Sequence, residues 1–280
     1  ITRVSVQANV YSISTSIHSN MRLIIGTESG GVFESDDKGS NWQLISKTAA
    51  FCTGVNSVAI SKADADTYFA GASNKLYKTT NRGVTWTEVA DLGGSIHEII
   101  TSPSSTSQMW AISSGGLYTS ANSGDNWTLL LAGKFWDLEY HPTHANIVYT
   151  IKENVAAKSM DFMKSTDGGA SFTTLVPTAG NGWYVPENIA QAKADGAKIE
   201  VSAADPNRVY AALIGDSKSG DIGWIGVYRS NDSGDTWTLP IGQIGSPYGA
   251  ANTAIWNVAG TSYHQGFYNF DFEVSPTDAN

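Results

Sequence analysis

The stretch Ser35-Asp36-Asp37-Lys38-Gly39-Ser40-Asn41-Trp42 recurs four more times along this chain of 280 residues. Each copy follows the pattern Ser/Thr-x-Asp/Asn-x-Gly-x-x-Trp/Phe. The other copies span residues 79–86, 120–127, 165–172 and 230–237. Because four restricted positions repeat together in every copy, the pattern indicates a recurring structural unit.

Each copy is typical of a tight turn between two β-strands. An Asp or Asn side chain folds back onto the backbone of its own turn, and Gly accepts a positive φ. The Ser or Thr hydroxyl bonds within the same turn, and the aromatic residue packs at the start of the next strand. We therefore predict structural roles, with mostly buried rings, for Ser35, Asp37, Gly39, Trp42, Asn81, Gly83, Trp86, Asn122, Gly124, Trp127, Asp167, Gly169, Phe172, Asp232, Gly234 and Trp237.

The spacing of the aromatic anchors gives the length of the repeat. Successive anchors are 44, 41, 45 and 65 residues apart, so the last unit carries an insertion. A period of about 40–45 residues with several strands per unit is typical of a β-propeller. The sequence predicts an all-β propeller with five near-complete blades and a partial sixth. The units span about 10–47, 54–92, 95–133, 134–177 and 181–242, and the partial unit spans 264–280.

The five turns resemble the Asp-box, also called the bacterial neuraminidase repeat. This repeat occurs in sialidases, xyloglucanase-type glycoside hydrolases, sortilin-type receptor domains and many secreted bacterial proteins. The resemblance covers nearly the whole chain and implies a β-propeller without selecting among those functions. The segment Gln265-Gly266-Phe267-Tyr268-Asn269 also resembles a recurrent element of secreted bacterial Asp-box proteins. The resemblance thus implies a secreted or cell-surface bacterial protein.

The composition excludes several classes of partner. The formal net charge is −9, with 17 Lys and Arg residues, which disfavours nucleic acid and anionic membranes. A single cysteine, Cys52, allows no disulfide within the chain. No apolar run approaches the roughly 20 residues of a membrane helix. His141 and His144 have no obvious third metal ligand, so we expect no metal and no cofactor.

The sixth unit begins but does not reach a second strand before Asn280. Residues 1–8 are one candidate for an outer strand that closes a ring. Five units and a fragment would leave an open sheet edge, which natural β-proteins avoid. We therefore expect the native protein to continue beyond Asn280.

Two short segments resemble those that carry the catalytic acids of xyloglucanase-type hydrolases. Thr27-Glu28-Ser29-Gly30-Gly31-Val32-Phe33 places Glu28 where that family has Asp, and Gly220-Asp221-Ile222-Gly223 resembles the partner segment. In that family the two acids come from separate propellers, whereas here both lie in one repeat array. Hydrolysis needs two carboxylates facing one cleft. The positions of Glu28 and Asp221 in the repeat give no reason to expect that their side chains face each other. We therefore expect Glu28 and Asp221 to be turn and loop residues.

Long loops break the repeat at residues 178–198 and 243–265. Long loops on a rigid scaffold often carry binding residues, and both sugars and peptides bind exposed aromatic faces. We interpret the chain as a non-catalytic module that binds a glycan or an extracellular protein. A xyloglucanase-like glycoside hydrolase and a sortilin-like receptor or assembly factor are the alternatives. The candidate binding residues are Trp183, Tyr184, Trp224, Trp256, Tyr263 and His264.

Overall fold

The computed structural model describes residues 9–28, 31–47, 51, 54–178, 180–183, 194–215, 224–242 and 272–278. Within these residues the chain forms five four-stranded antiparallel sheets, and the strands of each sheet follow chain order. The described residues contain no helix long and apolar enough to cross a membrane. Each sheet is one propeller blade, and consecutive strands pair because short turns join them.

The strands have the following bounds. Blade 1 contains β1 (Val10–Thr15), β2 (Leu23–Thr27), β3 (Gly31–Ser35) and β4 (Gln43–Leu44), and blade 2 contains β5 (Val55–Ile60), β6 (Tyr68–Ala72), β7 (Lys75–Thr79) and β8 (Thr87–Asp91). Blade 3 contains β9 (Ile96–Thr101), β10 (Met109–Ser113), β11 (Gly116–Ser120) and β12 (Thr128–Ala132). Blade 4 contains β13 (Phe135–Tyr140), β14 (Val148–Asn154), β15 (Ser159–Ser165) and β16 (Thr173–Thr174). Blade 5 contains β17 (Ala194–Val201), β18 (Val209–Gly215), β19 (Trp224–Ser230) and β20 (Thr238–Gly242).

The first compact unit, Ile1–Phe135, contains blades 1 to 3. The first strand of each following blade packs its apolar face on the sheet before it. Val55 and Val58 of β5 share a buried cluster with Ile24 of blade 1, and Ile99 of β9 packs with Phe69 of blade 2. Alternation along these strands places apolar side chains in the interface between blades.

The second compact unit, Trp136–Asn280, contains the remaining two blades, and its core is aromatic. Phe162 of β15 stacks with Tyr149 of β14 at 5.7 Å between ring centroids. It meets Trp237 of blade 5 edge-on at 4.8 Å. Edge-to-face and offset contacts of this kind add to the gain from burying the rings.

The five Asp-box turns share one hydrogen-bond geometry. In box 4 the Ser165 hydroxyl accepts the Gly169 N–H at 2.8 Å and donates to Asp167 Oδ1 at 2.7 Å. Asp167 Oδ1 also accepts the Ser171 N–H at 2.9 Å. The same bonds recur in the other four boxes. Each box Asp or Asn is therefore held by its own turn.

The structure corrects one detail of the boxes. Only Trp237 is buried, at 5 % exposure, and the other box aromatics, Trp42, Trp86, Trp127 and Phe172, are half-buried. The residue before the box glycine also has a positive φ, as at Arg82 and Ser123. Two consecutive left-handed residues make the sharp reversal, and the glycine takes the second position without strain.

Residues 272–278 belong to the predicted partial sixth unit and pack on blade 5. Phe272 packs against Ala212, Ile214 and Val227 of blade 5. Its ring meets that of Tyr210 at 6.3 Å between centroids. Ser275 then starts a turn by accepting the N–H groups of Thr277 and Asp278, much as Ser61 does after β5. The earlier part of the predicted unit and residues 1–8 lie outside the described residues.

Candidate functional site

Glu28, one of the two predicted acids, lies in the turn between β2 and β3 and is exposed. Asn9 Nδ2 donates to Glu28 Oε2 at 2.7 Å. The Glu28 N–H donates in turn to the Asn9 carbonyl oxygen at 2.9 Å. These two bonds fix the carboxylate at the end of the blade, beside the residue that precedes β1.

Tyr11 completes this group, and we call Asn9, Tyr11 and Glu28 the strand-end cluster. The Tyr11 side chain is 46 % exposed. Partial burial raises its pKa above the ordinary value, and the negative charge of Glu28 and a hydrogen bond to it add to the rise. The phenol therefore stays protonated at neutral pH, so it can donate a hydrogen bond.

Gly54 of the next blade lies against this cluster. An added Cβ at Gly54 would stand 2.8 Å from the Glu28 carbonyl oxygen and 3.7 Å from the Tyr11 ring. Glycine here lets the backbone of blade 2 approach the end of blade 1. The strand-end cluster thus presents a carboxylate, an amide and an aromatic face together, a combination that binds hydroxyl-rich ligands.

The cluster contains one carboxylate only. Glycoside hydrolysis by the usual mechanism requires two carboxyl groups, about 5–5.5 Å or 6.5–9.5 Å apart. Asp221, the predicted partner of Glu28, lies outside the described residues. Tyr184, Trp256, Tyr263 and His264 also lie outside them, as does the side chain of Trp224.

Trp183 was predicted to offer an exposed ring, and the structure places it elsewhere. It is 2 % exposed and packs against Trp237 at 4.7 Å and Tyr228 at 5.3 Å between ring centroids. Its Nε1–H donates to the Met160 carbonyl oxygen at 2.7 Å. Both faces of this ring are thus covered, and Trp183 belongs to the core of the second unit rather than to a binding loop.

Asn181 positions Trp183, and sequence reasoning did not identify it. Its Oδ1 accepts the N–H groups of Thr178 and Trp183, both at 3.1 Å, and its Nδ2 donates to the Val176 carbonyl at 2.8 Å. Its own carbonyl oxygen accepts the Trp237 N–H at 2.7 Å. The residue type is typical of turns, but the pattern does not reveal that this turn joins two blades.

A cleft of about 340 Å³ opens where the short strand β16 ends. Hydroxyl side chains line it, among them Thr173 and Thr174, together with Lys164 and Asp235. Lys164 Nζ lies 3.1 Å from Asp235 Oδ1. The two charges therefore pair with each other. Phe162 also lines the cleft, but it is buried and offers no exposed aromatic face.

Glu34 forms the most heavily paired charge group among the described residues. It is 8 % exposed, and Arg82 Nη2 lies 2.9 Å from its Oε2. Tyr68 donates its hydroxyl to Glu34 Oε1, and Arg22 Nε lies 3.6 Å from the same oxygen. Burial, followed by the bond and charge of Glu34, raises the pKa of Tyr68. Since every partner belongs to blade 1 or blade 2, the group joins two blades and leaves no group free for catalysis.

Asp137 is a second buried carboxylate with a structural role. It is 2 % exposed, and its Oδ2 accepts the Ile199 N–H at 2.6 Å. Lys198 Nζ lies 3.1 Å from its Oδ1. Ser57 Oγ accepts the Ile99 N–H from the equivalent place on β5, at 2.9 Å.

In the described part of the chain, no group of three His, Cys, Asp or Glu is arranged to hold a metal.

Comparisons with known proteins agree with the fold. The family model described as photosynthesis system II assembly factor YCF48 matches residues 1–135. A search of curated proteins gave no match.

Among solved structures, a GH74 enzyme from Niastella koreensis superposes with a TM-score of 0.61 at 18 % identity, over 83 % of this chain and 38 % of that one. An ancestral GH74 enzyme gives 0.63 at 17 %, over 83 % and 31 %. The extracellular domain of a putative one-component system from B. thetaiotaomicron gives 0.55 at 14 %, over 84 % and 29 %. The chain spans between 29 % and 38 % of the length of these three proteins, and at this identity they establish the fold alone.

Proposed function

We propose that this chain, an Asp-box β-propeller protein, is a non-catalytic binding module that recognises a glycan or an extracellular protein through its strand-end loops. The observation that carries the proposal is the strand-end cluster of Asn9, Tyr11 and Glu28. It combines an exposed aromatic ring with hydrogen-bonding groups that are fixed before a ligand arrives. Preorganised polar groups beside an apolar face favour binding because little ordering entropy is lost.

The hydrogen bonds and ion pairs of the box aspartates, Glu34 and Asp137 support binding over catalysis. The box aspartates, for example Asp37 and Asp167, are held by their own turns. Glu34 and Asp137 are held between blades. A general acid needs a raised pKa from burial or a neighbouring like charge, and Glu28 is solvent-exposed. The resemblance of the repeats to secreted bacterial proteins supports a location outside the cell or on its surface.

Binding assays with two variants of the cluster test this function. The purified chain is titrated with xyloglucan, mixed-linkage β-glucan and sialosides, and it is screened against a displayed library of peptides. We expect Tyr11→Ala and Glu28→Gln to weaken the ligand found by about tenfold or more, since one good contact contributes about 1.4 kcal/mol. Val84→Ala is the matched control because Val84 is 67 % exposed on a box turn of blade 2.

Two results would contradict the proposal. Equal affinity of both variants and the wild-type chain for every bound ligand would remove the strand-end cluster from recognition. Turnover of a glycan that both Glu28→Gln and Asp221→Asn abolish would instead establish a glycoside hydrolase.

A further inference from the structure

A polar contact recurs at the junctions that follow blades 1, 2 and 4, and in each of these it starts from the residue just before the box Ser or Thr. In blade 2 this residue is Lys78, whose Nζ lies 2.7 Å from Asp125 Oδ1 and 2.8 Å from the Ser123 carbonyl oxygen in the box of blade 3. In blade 4 it is Lys164, which lies 3.1 Å from Asp235 in the box of blade 5.

The charge of this residue is opposite to the charge that the following box presents. Lys78 and Lys164 each meet an Asp that directly follows the box glycine. In blade 1 the residue is Glu34, and the box of blade 2 presents Arg82 directly before its glycine, 2.9 Å from Glu34 Oε2. A cation therefore accompanies an acidic box, and an anion accompanies a basic one.

In blades 2 and 4, where the residue is Lys, an aromatic residue on the second strand pairs with it, whereas Ile24 pairs with Glu34 in blade 1. Phe69 pairs with Lys78 in the β6–β7 register, and Tyr149 pairs with Lys164 in the β14–β15 register. An added Cβ at Gly124 of the next box would stand 2.3 Å from the Phe69 ring. The box glycine is thus required for close approach to the preceding blade as well as for its positive φ.

Blade 5 carries a cation and an aromatic residue at the same two positions. Arg229 directly precedes the box residue Ser230, and it pairs with Tyr210 in the β18–β19 register. The Arg229 Nε is buried without a hydrogen-bond partner among the described residues. Tyr210 is only half-buried, whereas Phe69 and Tyr149 are fully buried.

Phe272 shows what packs on this face. It lies on Tyr210, Ala212 and Val227, as Ile99 of β9 packs on Phe69 at the junction between blades 2 and 3. Residues 272–278 therefore lie where the first strand and turn of a following blade are expected. Among the described residues, no box carboxylate pairs with Arg229 in the way that Asp125 pairs with Lys78.

We propose that Arg229 and Tyr210 form the docking surface for a sixth Asp-box blade that starts with residues 272–278 and carries Asp or Glu directly after its box glycine. The glycine packs on the Tyr210 ring, and the acid pairs with the Arg229 guanidinium. An acid suits this position because the Arg229 Nε is buried without a hydrogen-bond partner among the described residues. A box with Arg at the Arg82 position would place two like charges together.

Two grafts of equal length test the surface. Residues 108–133, the rest of blade 3 with the acidic Gly124-Asp125 box, are appended after Asn280 in one extended chain. Residues 67–92, the rest of blade 2 with the basic Arg82 box, are appended in the other. We expect the acidic graft to raise the Tm and to protect its amides from hydrogen exchange. We expect the basic graft to do neither.

A charge swap separates the Arg229 contact from general packing. In the chain with the acidic graft, Arg229→Glu and Asp125→Lys in the appended copy each lower the Tm, and the two together restore about 1–3 °C, the size expected for one partly exposed ion pair. In the chain without a graft, Arg229→Glu leaves the Tm unchanged. Lys164→Glu with Asp235→Lys serves as the positive control.

Three outcomes would overturn the proposal. Equal Tm and amide protection for the two grafts would show that the surface does not select an acidic box. Strictly additive effects of Arg229→Glu and Asp125→Lys, with coupling in the control pair, would show that the pair does not form. Unprotected amides in both grafts would show that the surface takes no further blade.

Discussion

The indole Nε1–H of Trp183 donates to the carbonyl oxygen of Met160 at 2.7 Å. Met160 lies on β15, whose last residues pair with the two-residue strand β16 through Met163 and Lys164. Trp183 therefore satisfies a backbone acceptor beyond the reach of the outer strand. One side chain from a loop both fills the core between blades 4 and 5 and supplies a hydrogen bond that a longer strand would otherwise make.

Trp183→Ala should lower the free energy of unfolding by about 3–5 kcal/mol, because it removes a buried ring and its hydrogen bond. Trp183→Phe should cost less, since it keeps most of the packing. Chemical denaturation monitored by circular dichroism measures both. Val176→Ala, at a 69 % exposed position of the same loop, should change stability by no more than about 0.5 kcal/mol. A Trp183→Ala variant as stable as that control would place the ring outside the core.

The box aromatics should differ in their contribution to stability. Trp237 is buried, so Trp237→Ala should cost about 3–5 kcal/mol. Trp127 is half-buried, so Trp127→Ala should cost less, although its Nε1–H donates to the Gly124 carbonyl at 3.1 Å. Equal losses in urea unfolding for the two variants would contradict this ranking, which depends on burial.

Asp167 should make stability fall at acid pH. Hydrogen bonds from the Ser171 side chain and backbone, and from Ser165, lower the pKa of Asp167 to about 2. Because this folded-state pKa lies below the unfolded value of about 3.9, the stabilisation is present above pH 4 and is lost as the pH falls towards 2.

Asp167→Asn provides the comparison for this pH effect. Asn81 shows that an amide oxygen accepts the same turn bond, from the Thr85 N–H at 2.9 Å. The variant should therefore keep the turn and lose this part of the acid dependence. Thermal melts of both chains between pH 5 and 2 give the measurement, and parallel Tm curves would refute the assignment.

The purified chain should hydrolyse no glycoside. The strand-end cluster supplies one exposed carboxylate, whereas the reaction needs a pair at a defined separation, one of them with a raised pKa. Reducing-sugar assays with xyloglucan, other β-glucans and sialosides check this. Activity that survives Glu28→Gln would indicate a contaminant or a different site, and activity lost in that variant would favour the hydrolase alternative.

The candidate site was predictable from sequence only in part. The segment around Glu28 was identified from its strand-end motif, but its partners Asn9 and Tyr11 were not, because Tyr11 lies on β1 and Asn9 directly precedes that strand. The role of Trp183 was predicted incorrectly, because an aromatic residue in a long loop can either line a binding site or pack into the hydrophobic core. Asn181 carried no signal beyond its turn propensity.

By itself, the sequence determined the Asp-box turns, the repeat and the β-propeller class. The hydrogen bonds of a box join residues two to four positions apart, as from Ser165 to Asp167 and Gly169, so their pattern is present in any window of eight residues. Only the tertiary structure decided which rings are buried and which charges meet between blades. Lys78 and Asp125 are 47 positions apart, and their contact exists because two blades pack face to face, which no local pattern encodes.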